Sequence, residues 1–244
     1  MRLADLDRVL LAPVARRVAG RKPRGLSLIA CLTAAAAIAT AVWQADRAAP
    51  ADFSGGDVVR VGLPPGLPIS GYAESSRREL EALAAAGATE SYALVTFAEY
   101  LAPDRLTPIL GGVTLTFVYA RVPVPGEQAE IVRIPATKVP VDVVLGMDQV
   151  AARKAREAAD YRARLLGTTD AALSEVYRTG ARIAAAEYDA YATHCACAYA
   201  AVVRATPAAL EQIAAHPDVR IVDPAPEVRR LDRAVFLPPL PPTP

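Results

Sequence analysis

Two stretches of the chain share one order of elements: a strand, a short helix and a second strand. The first begins with "YALV" at Tyr92 and reaches its second strand at Val113, and the other begins with "YAAV" at Tyr199 and reaches its second strand at Val219. Strand–helix–strand crossovers within one sheet are right-handed. Two such units predict a four-stranded antiparallel sheet with both helices on one face, the ferredoxin-like βαββαβ arrangement.

Local patterns within the two units support these elements. Residues 113–122, "VTLTFVYARV", alternate between two faces, which is typical of a strand with one face on a core. In the second unit Thr206 is a predicted N-cap, and Pro207 occupies the first helical position. Pro217 ends that helix and biases His216 away from helical angles, so we interpret His216 as a structural residue.

A long helical insertion separates the two units. Residues 147–192 are rich in helix-forming residues, and "GTTD" interrupts them where Thr169 or Asp170 can cap a second helix. The predicted fold class is therefore α+β, with a ferredoxin-like domain over residues 74–228 that carries this insertion. Residues 44–73 are interpreted as a linker and proline-rich loop, and residues 229–244 as a proline-rich tail.

An uncharged segment precedes the domain. Residues 25–43, "GLSLIACLTAAAAIATAVW", would form a helix of about 28 Å, close to the thickness of bilayer hydrocarbon. The arginine-rich residues 1–24 predict that the N-terminus stays in the cytoplasm and that the domain lies outside, with membrane lipid as one of the partners of the protein. The alternative is a signal peptide cleaved near "APAD", residues 49–52, which would give a secreted protein.

Charge and motifs exclude several classes of function. Lys and Arg total 27 against 26 Asp and Glu, a net charge of +1, so no electrostatic signal for nucleic acid is present. The sequence contains no G-x-S-x-G, H-E-x-x-H, P-loop or G-x-G-x-x-G motif. We therefore expect a protein without catalytic activity and without a cofactor.

One cluster of reactive side chains stands in "THCACAY", residues 193–199. His194, Cys195 and Cys197 could bind a soft metal such as Cu(I) or Zn(II), although a fourth ligand is not evident. In a regular strand the two cysteines would share a face with Cα atoms about 6–7 Å apart, so a disulfide would require a bent backbone. A Cys195–Cys197 disulfide, two free thiols, a metal site and redox catalysis all remain open.

The second unit also resembles a known family. Residues 199–228, "YAAVVRATPAALEQIAAHPDVRIVDPAPEV", resemble the second half of the inhibitor I9 domains, the propeptides of subtilisin-like serine proteases. The positions that carry this resemblance are Thr206, Pro207, Leu210, His216, Pro217, Val219, Val222, Asp223 and Pro224. Members of that family join their two units by a tight turn, whereas this chain has a long segment there. The resemblance therefore implies the fold more directly than it implies inhibition.

The resemblance also implies a role for the tail. In the family the segment after the last strand lies in a protease cleft, where extended peptides bind by backbone pairing. The residues that would contact such a partner are Val228, Arg229, Arg230, Leu231, Arg233, Val235 and Phe236. On this interpretation, deletion of residues 225–244 leaves the fold intact.

These observations predict a membrane-anchored, extracytoplasmic protein-interaction module that binds another extracytoplasmic or membrane protein. One alternative is a propeptide-like inhibitor or folding assistant whose partner is a secreted subtilisin-like protease. The other is a metal-binding protein that uses the His-Cys-x-Cys cluster.

Overall fold

The computed structural model describes residues 58–241 of the 244-residue chain. Its strands are β1 (Val59–Gly62), β2 (Ser91–Leu101), β3 (Thr114–Ala120), β4 (Val132–Pro135), β5 (Ala198–Ala205), β6 (Val219–Ala225) and β7 (Ala234–Leu237). Its α-helices are α1 (Ile69–Ala85), α2 (Thr107–Leu110), α3 (Val141–Gly167), α4 (Ala171–Ala192) and α5 (Pro207–Ala214). Two short 3₁₀ helices cover Pro103–Leu106 and Leu231–Arg233.

Five strands form the main sheet, in the order β4-β3-β5-β2-β6. All neighbouring pairs are antiparallel, and β2 lies between β5 and β6, with Leu94 opposite Val202 and Val95 opposite Val222. The two strand–helix–strand units therefore interleave, because β5 enters between the two strands of the first unit. The edge strand β4 extends the sheet beyond the strands of these units.

One face of the sheet carries the larger core. The residues of β2 alternate between the two faces, so Ala93 and Val95 point into this core whereas Leu94 points the other way. The helices contribute the apolar residues Leu80, Leu106, Ile109, Leu110, Met147, Val150, Tyr191, Leu210 and Ile213. Burial of these side chains holds α1, the first crossover, α5 and the inner ends of α3 and α4 against one face.

The opposite face is covered by a second, two-stranded sheet. Strands β1 and β7 pair in parallel, with Val61 opposite Phe236, and both side chains are buried against Leu94 and Phe117. Gly62 has φ +120°, and a Cβ atom there would overlap the carbonyl oxygen of Leu237. Only glycine combines that backbone conformation with so close an approach of the two strands.

The insertion forms a hairpin of two long helices, α3 and α4. Asp170 caps α4 by accepting hydrogen bonds from the backbone N–H groups of Ala172 and Leu173 at 2.8 and 3.1 Å, which confirms one of the two predicted caps. The predicted cap at Thr206 is confirmed as well, since its hydroxyl accepts from the N–H of Ala209. Residues 159–180, the distal part of the hairpin, contain no buried residue, and Leu166 is 90% exposed.

The predicted fold class requires a correction. Within residues 58–241 no helix is long and apolar enough to cross a membrane. The longest helices, α3 and α4, carry charged residues along their length, whereas a spanning helix needs about 20 mostly apolar residues. The fold is mixed α/β with two sheets, and the prediction of a single-pass protein of the cytoplasmic membrane is wrong on this evidence. The span predicted at residues 25–43 lies outside the described residues.

Candidate functional site

The histidine and cysteine cluster forms a turn ahead of β5. His194 has φ 51°, and this left-handed residue brings the Cα atoms of Cys195 and Cys197 to 5.3 Å, where the two sulfur atoms form a disulfide. The backbone here is bent rather than extended, so the two cysteines are close enough for a disulfide, which a regular strand would not allow. Nε2 of His194 lies 2.9 Å from Oδ1 of Asp148. Across residues 58–241, no group of three or more His, Cys, Asp or Glu side chains is placed to hold a metal ion.

The predicted partner-binding tail folds back onto the second face of the main sheet. Val228 and Phe236 are each 5% exposed, and the Phe236 ring meets the Phe117 ring edge-on at 5.9 Å. Tyr119 donates a hydrogen bond from its hydroxyl to the carbonyl oxygen of Phe236 at 3.1 Å. Among the other predicted residues, Leu231 is half-buried, Arg230 pairs with Asp232, and the remaining ones are exposed: Arg229, Arg233 and Val235.

A buried carboxylate on β6 fastens α1 to the sheet. Asp223 accepts hydrogen bonds from the hydroxyls of Tyr72 at 2.8 Å and Ser76 at 3.0 Å. Burial raises the pKa of Asp223, and these hydrogen bonds oppose the rise without cancelling it. Burial likewise raises the pKa of Tyr72, and the neighbouring carboxylate adds to that rise. All three side chains are buried, so we interpret this cluster as a structural contact that holds α1 against β6.

The main sheet has two outer edges, at β4 and at β6, and the outer edge of β4 presents backbone groups toward an open groove. Ala136 donates from its N–H to the carbonyl oxygen of Thr116, and Ile134 lies opposite Val118. Bonded pairs alternate along an antiparallel ladder, so Val132, Ile134 and Ala136 turn their backbone groups toward β3. The backbone groups of Ile131, Arg133 and Pro135 therefore point away from the sheet.

A groove of about 500 Å³ follows this edge, between β4 and α3. Gly146 of α3 lies directly against Ile134, and a Cβ atom at Gly146 would overlap the Ile134 side chain. The helix can therefore approach the strand closely and still leave a groove beside it. The charged residues along the groove are Glu130, Arg133, Arg153 and Arg156.

The electrostatic character of the groove is cationic. Arg133 lies over the ring of Phe117, with Cζ 4.8 Å from the ring centroid. Arg153 pairs with Glu130 at 2.7 Å, and Glu130 also accepts from Lys154 at 2.7 Å, so its charge is shared between two cations. Within residues 58–241, neither Arg133 nor Arg156 forms an ion pair with a carboxylate.

A buried ionic cluster fixes the start of the edge strand. Lys154 lies 2.7 Å from Glu187, 2.7 Å from Glu130 and 2.9 Å from Glu157, and the Glu130 N–H donates to Glu187 at 2.8 Å. Burial by itself would lower the pKa of Lys154, but its three carboxylate partners outweigh burial and raise it. Burial favours a higher pKa for Glu130, but Arg153 and Lys154 outweigh it and lower the pKa. The loop that leads into β4 is thus held at a defined position beside α3.

A second, mostly apolar pocket of about 370 Å³ lies on the other side of Ile131. Its walls include Tyr119, Tyr199, Leu237 and Pro238, and Ile131, 52% exposed, lines both this pocket and the groove. Burial raises the pKa of Tyr199, and the charge of Arg121 opposes that rise. The Nε atom of Arg121 is buried and has no hydrogen-bond partner in the described part of the chain.

The residues "AEIVRIP", 129–135, are typical of a strand, but nothing in that stretch of sequence indicates a site. Alternation of exposed Ile131, Arg133 and Pro135 with buried Val132 and Ile134 is the available signal. That pattern indicates a strand with one buried face, and it does not reveal which strand of the sheet has a free edge. The edge position depends on the order in which the other strands pair.

Comparisons with known proteins give no identification. Neither the protein-family models nor the curated proteins nor the solved structures contain a match to this chain. The resemblance of residues 199–228 to the inhibitor I9 domains therefore stays a prediction, and the function has to be argued from the geometry alone.

Proposed function

We propose that this domain is a non-catalytic protein-interaction module that binds its partner at the outer edge of β4. The observation that carries the proposal is the outward backbone of Ile131 and Arg133 beside a formed groove. An unpaired strand edge is a template for an added strand, and extended peptides commonly use such an edge. A partner segment would gain main-chain hydrogen bonds from the edge and side-chain contacts from the groove.

The burial of the tail favours this function over protease inhibition through the tail. The apolar residues expected to reach a protease cleft are Val228, Leu231, Val235 and Phe236, and the first and last of these are packed in the second core of the protein itself. A tail used in a cleft would have to leave that core and expose its apolar side chains to water.

The disulfide argues against the metal-binding alternative in the same way. With Cys195 and Cys197 joined, neither sulfur is a thiolate, which is the form that ligates metals. His194 is paired with Asp148, so the cluster would need reduction and rearrangement before it could coordinate an ion.

The proposal can be tested with the full chain and a displayed library of random peptides. The decisive variant is Arg133→Pro, since proline removes the outward N–H but no hydrogen bond to β3, and proline is tolerated at strand edges. Arg133→Ala is the matched control that keeps the N–H. Both variants lack the Arg133 charge, so we expect selected peptides to bind Arg133→Pro at least about tenfold more weakly than Arg133→Ala.

Two outcomes would overturn the proposed function. One is the absence of any enriched peptide that is sensitive to Arg133→Pro, given that circular dichroism shows the variant to be folded. The other is cleavage or chemical change of the bound peptides, detected by mass spectrometry, because a non-catalytic module leaves its partner intact.

A further inference from the structure

We infer that the partner segment is an acidic, extended peptide that adds to β4 as a sixth strand and places one apolar side chain in the pocket beside Ile131. The inference rests on the proposed function and names the chemistry of the partner. Three observations carry it: the outward backbone of β4, the unbalanced arginines along the groove, and the apolar pocket next to Ile131.

The backbone fixes where the added strand can pair. Ile131 and Arg133 each offer an N–H and a carbonyl oxygen, whereas Pro135 offers only its carbonyl oxygen. Pairing therefore ends at Pro135, since proline cannot donate to a ladder. The paired core is short, on the order of four residues, so most of the specificity must come from side chains.

The charges select an acidic segment. An added strand would lie about 5 Å from β4, which brings its side chains within reach of Arg133 on one face. Its alternate side chains would point toward Arg153 and Arg156 of α3 on the other face. Among residues 58–241, Glu130 is the only carboxylate that lines the groove, and it is already shared by Arg153 and Lys154, so an incoming carboxylate meets unbalanced positive charge.

The same charges disfavour a second copy of the chain as the occupant. Antiparallel pairing of β4 with β4 of another molecule, centred on Arg133, would bring two Arg133 side chains toward each other. Like charges placed across a strand pair are destabilising. The groove arginines would likewise face each other rather than a carboxylate, so self-association at this edge lacks the complementarity that an acidic peptide supplies.

The apolar pocket adds a positional requirement. Ile131 and Arg133 are two residues apart and point to the same face, so the residues opposite them in the added strand are also two apart. The one opposite Ile131 meets the pocket walls formed by Tyr119, Tyr199 and Leu237, which suit an aromatic or large aliphatic side chain. The one opposite Arg133 is acidic, and the residue between them, which faces α3, is acidic too.

A set of matched peptides tests the inference on the full chain. The probe is fluorescein-labelled Thr-Glu-Phe-Glu-Asp-Val-Thr with an amidated C-terminus, measured by fluorescence anisotropy at low salt. One twin carries Lys in place of each acidic residue, and another carries Ala in place of Phe. We expect the acidic probe to bind at least about tenfold more tightly than the Lys twin and about fivefold more tightly than the Ala twin, with affinity falling as salt rises.

Protein variants locate the charge effect. Arg133→Glu and Arg156→Glu should each weaken the acidic probe by about fivefold or more and strengthen the Lys twin. Arg162→Glu makes the same charge change at an exposed position of α3 outside the groove, and it should have little effect. Equal binding of the acidic probe and the Lys twin, or equal effects of Arg156→Glu and Arg162→Glu, would overturn the inference.

The two proposals fail in different ways. If displayed peptides bind in a manner sensitive to Arg133→Pro but are not acidic, the edge-binding function stands and the acidic partner is wrong. If no peptide of any composition is sensitive to Arg133→Pro, the edge-binding function itself is wrong.

Discussion

The Nζ atom of Lys154 lies 2.7 Å from Oε2 of Glu187, and the two side chains are only 3% and 1% exposed. This ion pair joins α3 to α4 at the base of the helical hairpin. Glu187 also accepts the backbone N–H of Glu130, the residue just before the exposed edge of the sheet. The pair therefore links the packing of the hairpin to the position of β4, and its loss should affect both.

Removal of the buried ammonium group of Lys154 should lower the free energy of unfolding. Lys154→Met removes the cation that Glu187 contacts, while Glu130 keeps Arg153, and breaking a buried ion pair by removing one partner costs about 3–5 kcal/mol. Urea unfolding measures this loss. The double variant Lys154→Met with Glu187→Met should be more stable than the single one, because no unpaired charge is left on Glu187.

The control for this prediction is the exposed pair of Arg164 and Asp160 on the same helix. Surface ion pairs contribute little, so Arg164→Met should leave the unfolding midpoint nearly unchanged. A loss for Lys154→Met as small as that for Arg164→Met would contradict the structural role of the buried cluster.

The tail should behave as part of the core. Phe236→Ala removes a buried ring that packs against Phe117, and such changes cost about 3–5 kcal/mol. Val235, the preceding residue, is 43% exposed, so Val235→Ala should have a much smaller effect. Thermal unfolding of the two variants compares them directly. If Phe236→Ala lowered the thermal stability no more than Val235→Ala does, the tail would be separable from the fold and this prediction would be wrong.

Asp223 should make a stability contribution with a defined pH dependence. Its pKa is raised in the folded state, so the folded protein holds that proton more tightly than the unfolded chain. Stability from this group is therefore present at low pH and is lost as pH rises from the ordinary value of about 3.9 through the raised pKa. Asp223→Asn should gain stability relative to wild type over that window, measured by urea unfolding at successive pH values.

Neighbouring acids have to be considered in that measurement. The pKa of Glu79 is raised by burial and by the charges of Asp223 and Glu227, so Glu79 contributes with the same sign. Asp232 provides the control, because its pH dependence has the opposite sign. Arg230 lowers the pKa of Asp232, so the stability that this group contributes is lost as pH falls. If the pH profile of Asp223→Asn runs parallel to that of wild type, the raised pKa of Asp223 is wrong.

Gly62 should not tolerate a side chain. At φ +120° an alanine is strained, and its Cβ atom would overlap the carbonyl oxygen of Leu237 across the pairing of β1 and β7. Gly66 also has a positive φ, +81°, but its Cβ position is open. Gly66→Ala should cost about 1–2 kcal/mol from backbone strain alone, and Gly62→Ala should cost clearly more. Equal unfolding midpoints for the two variants would contradict the close contact.

Several local features could be predicted from the sequence because they depend on residues a few positions apart. Alternation in "VTLTFVYARV" predicted β3, and hydroxyl or carboxylate side chains ahead of helical segments predicted the caps at Thr206 and Asp170. Pro217 predicted the end of α5, which closes before it at Ala214. Each of these follows from backbone geometry and local hydrogen bonding, so the surrounding fold does not alter it.

The tertiary structure alone decided which of these elements meet. Charged residues are spread along α3, as is typical of a solvated helix, yet Lys154 is buried because Glu187 and Glu130 approach it from other parts of the chain. Phe236 looked like part of an extended tail, yet β1 pairs with β7 and carries it into a core. The outer edge of β4, at Arg133, is free because β3 pairs with β4 on one side and with β5 on the other, which leaves β4 as the last strand of the described sheet. Whether a side chain is buried depends on contacts between segments that are distant in the sequence. The free energy of those contacts is summed over the whole fold, so a local pattern of residues cannot determine which side chains are buried.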